Sequence, residues 1–325
     1  MKRTKKLTRI AALILGFLMV TAVYTGCAAE VGEPALPSMT ENPEPTAAMQ
    51  EVSLTVTDMK GREITLTEPA ERVVALTAAD CEILCAIGAR DALVGRGEFC
   101  DWPESVLEVP SVQSGYETNI EQIIALQPQV VVMSTMDQTE EQVSALEKAG
   151  ISVVVSEAHD IEGVYAAIEM MGALMGKNAE AAAVIDDMRA EFEDVVRKAA
   201  GKNGGSVYFE VSPLEWGLWT AGRNTFMDEI SSMIGIENVF SDVEGWATIS
   251  EEQVLARNPD NILTVTMFYG EGPEPTEEIL GRDGWQEITA VKNGTVFGVY
   301  TDEMTRPGPR LADAAKTLYG FIYGE

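Results

Sequence analysis

Two glutamates stand at matching places in a repeated stretch of this sequence. The stretch from Asn119 to Val132 is matched in pattern by the one from Ser250 to Leu263. Each copy opens with a capping-box pattern, Asn119 with Gln122 and Ser250 with Gln253, so each predicts a helix N-terminus. Each helix is stopped by a proline, Pro128 or Pro259, and an apolar strand follows. Glu121 and Glu252 fall in the first turn of their helices, seven residues before those prolines. A first-turn glutamate suits the helix dipole on its own account. A matched pair, one in each half of the chain, points further, to two exposed carboxylates placed symmetrically across a cleft.

Other reactive side chains are scarce. The one histidine, His159, lies near a strand end and reads as a loop residue. Ser-His-Asp or Cys-His chemistry would have to use it as base, so an exported hydrolase is disfavoured and no catalytic residue is assigned. Cys81, Cys85 and Cys100 are an odd set, which leaves at least one free thiol. Cys81 and Cys85 lie one turn apart on a predicted helix, and a pairing with Cys100 stays open. With no CxxC pair beside the lone histidine, no metal site is expected. Free cysteines are mostly buried hydrophobes.

The elements that must position these residues alternate. Val52–Thr57 and Glu63–Thr67 read as a hairpin around Asp58-Met59-Lys60-Gly61. Strands are expected at Arg72–Leu76, Leu93–Gly95, Val130–Met133 and Ile151–Val155. Helices are expected at Asp80–Ile87, Thr139–Ala149 and Ile161–Met175, with a long loop from Arg96 to Thr118. The second half repeats the alternation. It has strands at Ser206–Val211, Asn261–Thr266 and Thr295–Tyr300, and helices at Asn224–Met233 and Leu311–Tyr323. Strand–helix alternation implies parallel sheets covered on both faces, with ligands beyond the carboxyl ends of the strands.

Between the halves, Asn178 to Gly201 reads as one helix, roughly 33 Å long at 1.5 Å per residue. Asn178 is the expected cap and Gly201 the left-handed stop. Ile185, Met188, Phe192, Val195, Val196 and Ala199 recur at helical steps, so one face is apolar. Such a helix is either a rigid strut joining two lobes or an ordinary core helix of one large domain. The strut reading gives lobes at 52–160 and 202–325, with an interlobe helical region at 161–201.

The front of the chain is a different material. Residues 1–26 have a basic start, an apolar run from Ile10 to Val23 and small residues before Cys27, the pattern of an export signal. Cys27 after Thr25-Gly26 resembles the lipobox of bacterial lipoproteins, which implies lipidation of Cys27. Tyr24 departs from the usual aliphatic residue there, and a plain secretory signal is the alternative. Residues 27–51, rich in Pro, Glu, Ala and Thr, read as a disordered tether. Beyond the signal the chain holds 18 basic and 52 acidic residues, a formal charge of −34. That charge repels nucleic acid and anionic lipid, so membrane attachment falls to the lipid.

The order of motifs resembles a known family, the solute-binding lipoproteins of iron-siderophore and cobalamin ABC importers. The resemblance rests on Thr57–Arg62, Arg72–Leu76, Asn119–Pro128, Thr220–Phe226 and Ser250–Pro259. It implies an α/β fold of two Rossmann-like lobes with central parallel sheets, joined by one long helix, with the ligand cleft between them and small hinge motion. It implies a monomeric extracytoplasmic binder, not an enzyme. Its partners would be a metal chelate (a corrinoid or ferric siderophore, alternatively haem) and an ABC permease dimer, the rival being a ligand-sensing lipoprotein of the same fold that signals without transport. No cofactor is expected beyond that transported chelate. The permease would meet Glu121 and Glu252. A bulky chelate calls for aromatic faces with a few fixed polar groups. The candidates are Phe99, Trp102 and Tyr116 in the first lobe, and Trp216, Trp219, Arg223, Trp246, Asp302 and Arg306 in the second. By the resemblance, Phe99 and Trp246 take places of ligand-facing aromatics, and Asp302 with Arg306 resembles a polar pair that contacts corrin amides. Core packing is the rival role for each aromatic. For Arg306 the rival is a clamp on siderophore or propionate carboxylates.

Overall fold

The structure is a computed structural model that describes residues 53–115, 117–134, 139–265, 273–299 and 302–324. The expected signal, the tether, Cys27 and Tyr116 lie outside the described residues. The chain opens with a hairpin, β1 (Leu54–Thr57) and β2 (Glu63–Leu66). The buried Asp58 carboxylate fixes its turn. It accepts from the backbone N–H groups of Lys60 (3.0 Å), Arg62 (2.9 Å) and Val155 (3.1 Å), and from Arg62 Nε. Burial opposes its charge, but these donors prevail and hold its pKa below the usual carboxylate value.

The first lobe follows as β3 (Val73–Ala75), α1 (Ala78–Ala86), β4 (Leu93–Gly97), β5 (Ser111–Val112), α2 (Ile120–Ala125), β6 (Val130–Met133), α3 (Glu140–Lys148) and β7 (Ser152–Val155). Among the described residues its strands order as β5-β4-β3-β6-β7, all parallel. Counted from β3, that is 3-2-1-4-5, a doubly wound order whose switch point lies between β3 and β6. Then come α4 (Ile161–Leu174) and α5 (Asn178–Ala199).

The second lobe comprises β8 (Ser206–Glu210), β9 (Trp219–Ala221), α6 (Phe226–Met233), β10 (Glu237–Asn238), β11 (Trp246–Thr248), α7 (Glu251–Arg257), β12 (Asn261–Thr264), α8 (Pro275–Gly281), α9 (Thr289–Asn293), β13 (Val296–Gly298) and α10 (Leu311–Tyr323). Its parallel sheet orders β10-β8-β12-β13, or 2-1-3-4 counted from β8. A small antiparallel pair, β9 with β11, stands beside it.

Side-chain alternation divides the cores. Val74, Val131, Met133 and Val153 point to one face of the first sheet and form its private cluster. Tyr208 and Ile262 do the same for the second sheet. The opposite faces, with Val73, Val130 and Val132 from one sheet and Val207, Phe209 and Leu263 from the other, join a single cluster through α4, α5 and α10. The helix α5 is the bridge. Along its first half it lies on α4, and Arg189, near its middle, sits 4.8 Å over the Tyr165 ring. Towards its C-terminus it lies on α10, through Glu191–Lys316 (2.9 Å). Gly172 makes the first contact possible, since a Cβ there would lie 2.5 Å from Ala181 Cβ.

Asn178 does not cap α5, contrary to the sequence expectation. It is already helical, and Lys177 takes the cap position with no side-chain bond. The short link from α4 is the cause. Lys177 N–H donates to Gly172 O (2.7 Å) and Lys177 O accepts from Ala181 N–H, which starts the helix a residue early. Gly201 does take the left-handed conformation, with φ 77°. The expected loop from Arg96 to Thr118 holds the last residues of β4, a short 3-10 turn and β5.

Burial also shapes a pH response. Asp80, 1% exposed at the N-terminus of α1, accepts from the Thr77 hydroxyl (2.5 Å), and burial pushes its pKa up to about 6. Because the folded pKa lies above the unfolded one, the native state binds the extra proton between roughly pH 4 and 6. Stability therefore rises on acidification through that window, by about 3 kcal/mol from this group. Asp80→Asn keeps the acceptor and removes the titration. Urea midpoints from pH 4 to 7 should show this component in the parent and not in the variant.

Candidate functional site

The repeat is conformational as well as sequential. Ile123 and Val254 are fully buried, whereas Glu121 and Glu252 are exposed. Both copies end in a non-glycine residue with positive φ just before the proline, Gln127 at 49° and Asn258 at 46°. Each helix then feeds a strand beside the first strand of its sheet, α2 into β6 and α7 into β12. A crossover helix runs antiparallel to its strand, so its N-terminus lies at the carboxyl-end rim of the sheet. Glu121 and Glu252 therefore sit on corresponding rims of the two lobes.

The capping differs between copies. Ser250 and Gln253 form a full capping box. Asn119 accepts from Gln122 N–H, but the Gln122 side chain accepts from Gln113 N–H rather than closing the box. A hydrogen bond from Ser250 leads the causes that lower the Glu252 pKa, so its carboxylate is ionised at neutral pH.

Three candidate aromatics fall past the carboxyl ends of strands, whereas Trp219 and Trp246 open β9 and β11. Phe99 (72% exposed) and Trp102 follow β4, and Trp216 (69% exposed) follows β8. Trp219 is also exposed. Trp246 is half-buried, with its ring edge-on to Phe226 at 5.5 Å. Arg223 is exposed and pairs with Glu244 through Nε (3.1 Å) and Nη2 (2.5 Å).

Asp302 and Arg306 do pair, at 2.7 Å, yet Arg306 reaches across to the first lobe. Its guanidinium donates to Glu82 (3.0 Å), Asp101 (2.7 Å) and the carbonyl of Phe99 (3.2 Å). Arg310 donates to both oxygens of Glu82 (2.8 and 2.7 Å) and lies 4.9 Å over the Trp102 ring. Glu82 is 3% exposed, so its charge depends on these two cations. Burial opposes the Arg306 charge, but the Asp101 and Glu82 carboxylates raise its pKa. The bond from Glu82 raises that of Arg310. Burial raises the Asp302 pKa more than Arg306 lowers it. Glu82, Asp101 and Arg310 were not singled out from the sequence. Arg310 alone left a signal, one turn beyond Arg306.

The three thiols are free. Cys81 and Cys100 are buried, with their sulfurs 3.9 and 3.8 Å from the Ala75 carbonyl and within reach of each other, while Cys85 is half-buried. Their mutual hydrogen bond, with burial, raises the Cys81 pKa. A thiol reagent at pH 8 should therefore modify Cys85 first. Cys81 and Cys100 should react only as the protein unfolds, which peptide mapping of the labelled chain will check. His159 lies exposed in a loop, its carbonyl accepting from Phe226 N–H. Among the described residues no cluster of three or more metal-ligating side chains is found, and no helix is long and apolar enough to cross a membrane.

Comparison with known proteins fits this arrangement. Residues 73–302 match the family model described as periplasmic binding protein. The chain belongs to the periplasmic binding protein family. A relative named "Uncharacterized ABC transporter substrate-binding lipoprotein YvrC", from Bacillus subtilis (strain 168), is 31% identical over 96% of this chain and 97% of its own. The solved periplasmic vitamin B12 binding protein BtuF of Vibrio cholerae is 25% identical, with a TM-score of 0.66 over 78% of this chain and 97% of that one. A possible iron-binding (periplasmic solute-binding) protein from Staphylococcus epidermidis ATCC 12228 is 26% identical. Its TM-score is 0.67, over 79% of this chain and all of that one.

Proposed function

We propose that this periplasmic binding protein captures a metal chelate outside the cell, a corrinoid or a ferric siderophore, and delivers it to the permease dimer of an ABC importer. It acts as a monomer held to the membrane by lipid on Cys27. One observation carries the reading. Exposed aromatics and a matched pair of exposed glutamates occupy the carboxyl-end rims of two lobes bridged by α5. Phe99, Trp102, Trp216 and Trp219 supply the faces that a flat, bulky guest stacks on. Tyr116 and Trp246 extend that set, with Arg223, Asp302 and Arg306 as its polar groups. Glu121 and Glu252 supply two charges for cations on the permease. The names of the relatives support the class of guest. Titration of the full-length protein in detergent micelles with cobalamin, ferric siderophores and haem tests it, read by tryptophan fluorescence. Saturable quenching by at least one chelate is expected. No quenching by any of them overturns the proposal.

A further inference from the structure

We propose that the cleft selects its guest by charge, accepting neutral or cationic chelates and rejecting anionic ones. This rests on the reading above and narrows its substrate class. Where the lobes meet, four carboxylates (Glu82, Asp101, Asp302 and Glu303) surround two guanidinium groups, Arg306 and Arg310. The formal balance of that cluster is −2. Both cations are engaged, and Glu82 is anchored so deeply that releasing either arginine would strip a buried carboxylate of one of its two partners.

Two further arginines among the described residues are engaged as well. Arg96, on β4, donates to the carbonyls of Gly97, Cys100 and Val109. Arg223 is forked onto Glu244. A guest bearing carboxylates or catecholate oxygens would have to displace Asp101 or Asp302 from Arg306. A neutral guest need not, since its amide N–H groups can donate to the more exposed oxygens of Asp101 and Asp302. A cationic guest gains from the same field. Glu82 is then a positioning residue. It holds both arginines in place and, through Arg310, the ring of Trp102.

A charge series tests this on the full-length protein at low and moderate salt. The probes are cyanocobalamin (neutral), a cationic ferric trihydroxamate, haem (two propionates) and a ferric tris-catecholate trianion. The expected result is that a neutral or cationic probe binds at least ~100-fold more tightly than either anion. Asp101→Asn with Asp302→Asn should narrow that gap by roughly tenfold, and more at low salt. Asp101→Asn alone changes only a half-exposed side chain and should act in the same direction. An anion binding as tightly as the best neutral or cationic probe overturns the inference while leaving the transport reading intact. A gap that the variants do not change overturns the role of these carboxylates. Binding of no probe overturns the transport reading and this inference with it.

Discussion

Replacing Glu121 and Glu252 together with alanine should cut chelate uptake by cells at least tenfold, roughly, while ligand affinity stays within about twofold of the parent. Both side chains are exposed, each in the first turn of a short helix whose packing is carried by other residues, Ile123 in one and Val254 in the other. Removing them therefore leaves the core and the aromatic surface as they were. What is lost is a pair of charges positioned to meet a partner. Truncating one member of an interfacial charge pair costs about 2–5 kcal/mol, and two such losses take a transient complex out of its working range. Each single variant should fall between. Uptake of labelled chelate by cells carrying the double variant, with binding titrations on the same protein, separates delivery from capture. Normal uptake would remove the docking role.

The largest loss of stability should come from Arg282→Met. Arg282 and Glu210 are nearly inaccessible and bonded twice, at 2.6 and 2.8 Å, while Glu278 also holds the guanidinium. The ring of Trp285 lies 4.4 Å beneath it, and Tyr208 donates to Glu210 at 3.3 Å. Burial works against the Arg282 charge, and the two carboxylates more than restore it. Deleting the cation strands Glu210 among apolar neighbours, at a cost of about 3–5 kcal/mol. An exposed pair such as Lys292–Glu287 is worth about 1 kcal/mol at most. Urea denaturation should resolve the difference. The double variant Arg282→Met with Glu210→Leu should recover most of the loss, because no orphaned charge remains. A single variant within 1 kcal/mol, roughly, of the parent would show that the network contributes little.

Much of this architecture could be read from periodicity. The observed β6 and α10 match their expected bounds, and α4 and β7 differ by one residue, because long apolar runs leave one period to choose from. The repeat was legible because its helix stops are chemical, a proline after a left-handed residue. Strands of two or three residues, such as β5, β9 and β10, carry no period and went unseen. So did α8 and α9, short helices between loops. The interlobe cluster was half legible. Asp302 and Arg306 share a helical spacing, but Glu82 lies more than 220 residues away in sequence, a buried acid in a mostly apolar helix. Only its tertiary partners explain it.

The near-duplication of α2 and α7 carries a consequence for assembly. A plug with two equal prongs can enter a two-fold socket in two ways, and only one presents the cargo correctly if the rest of the plug is unequal. Here the prongs differ beside the matched glutamates. Beside Glu252 stands a second acid, Glu251, fastened to the indole N–H of Trp285 at 2.8 Å, whereas beside Glu121 the same place is Ile120. If both helix starts dock as proposed, one offers two acids and the other an acid beside an isoleucine, which would favour one orientation of the assembly.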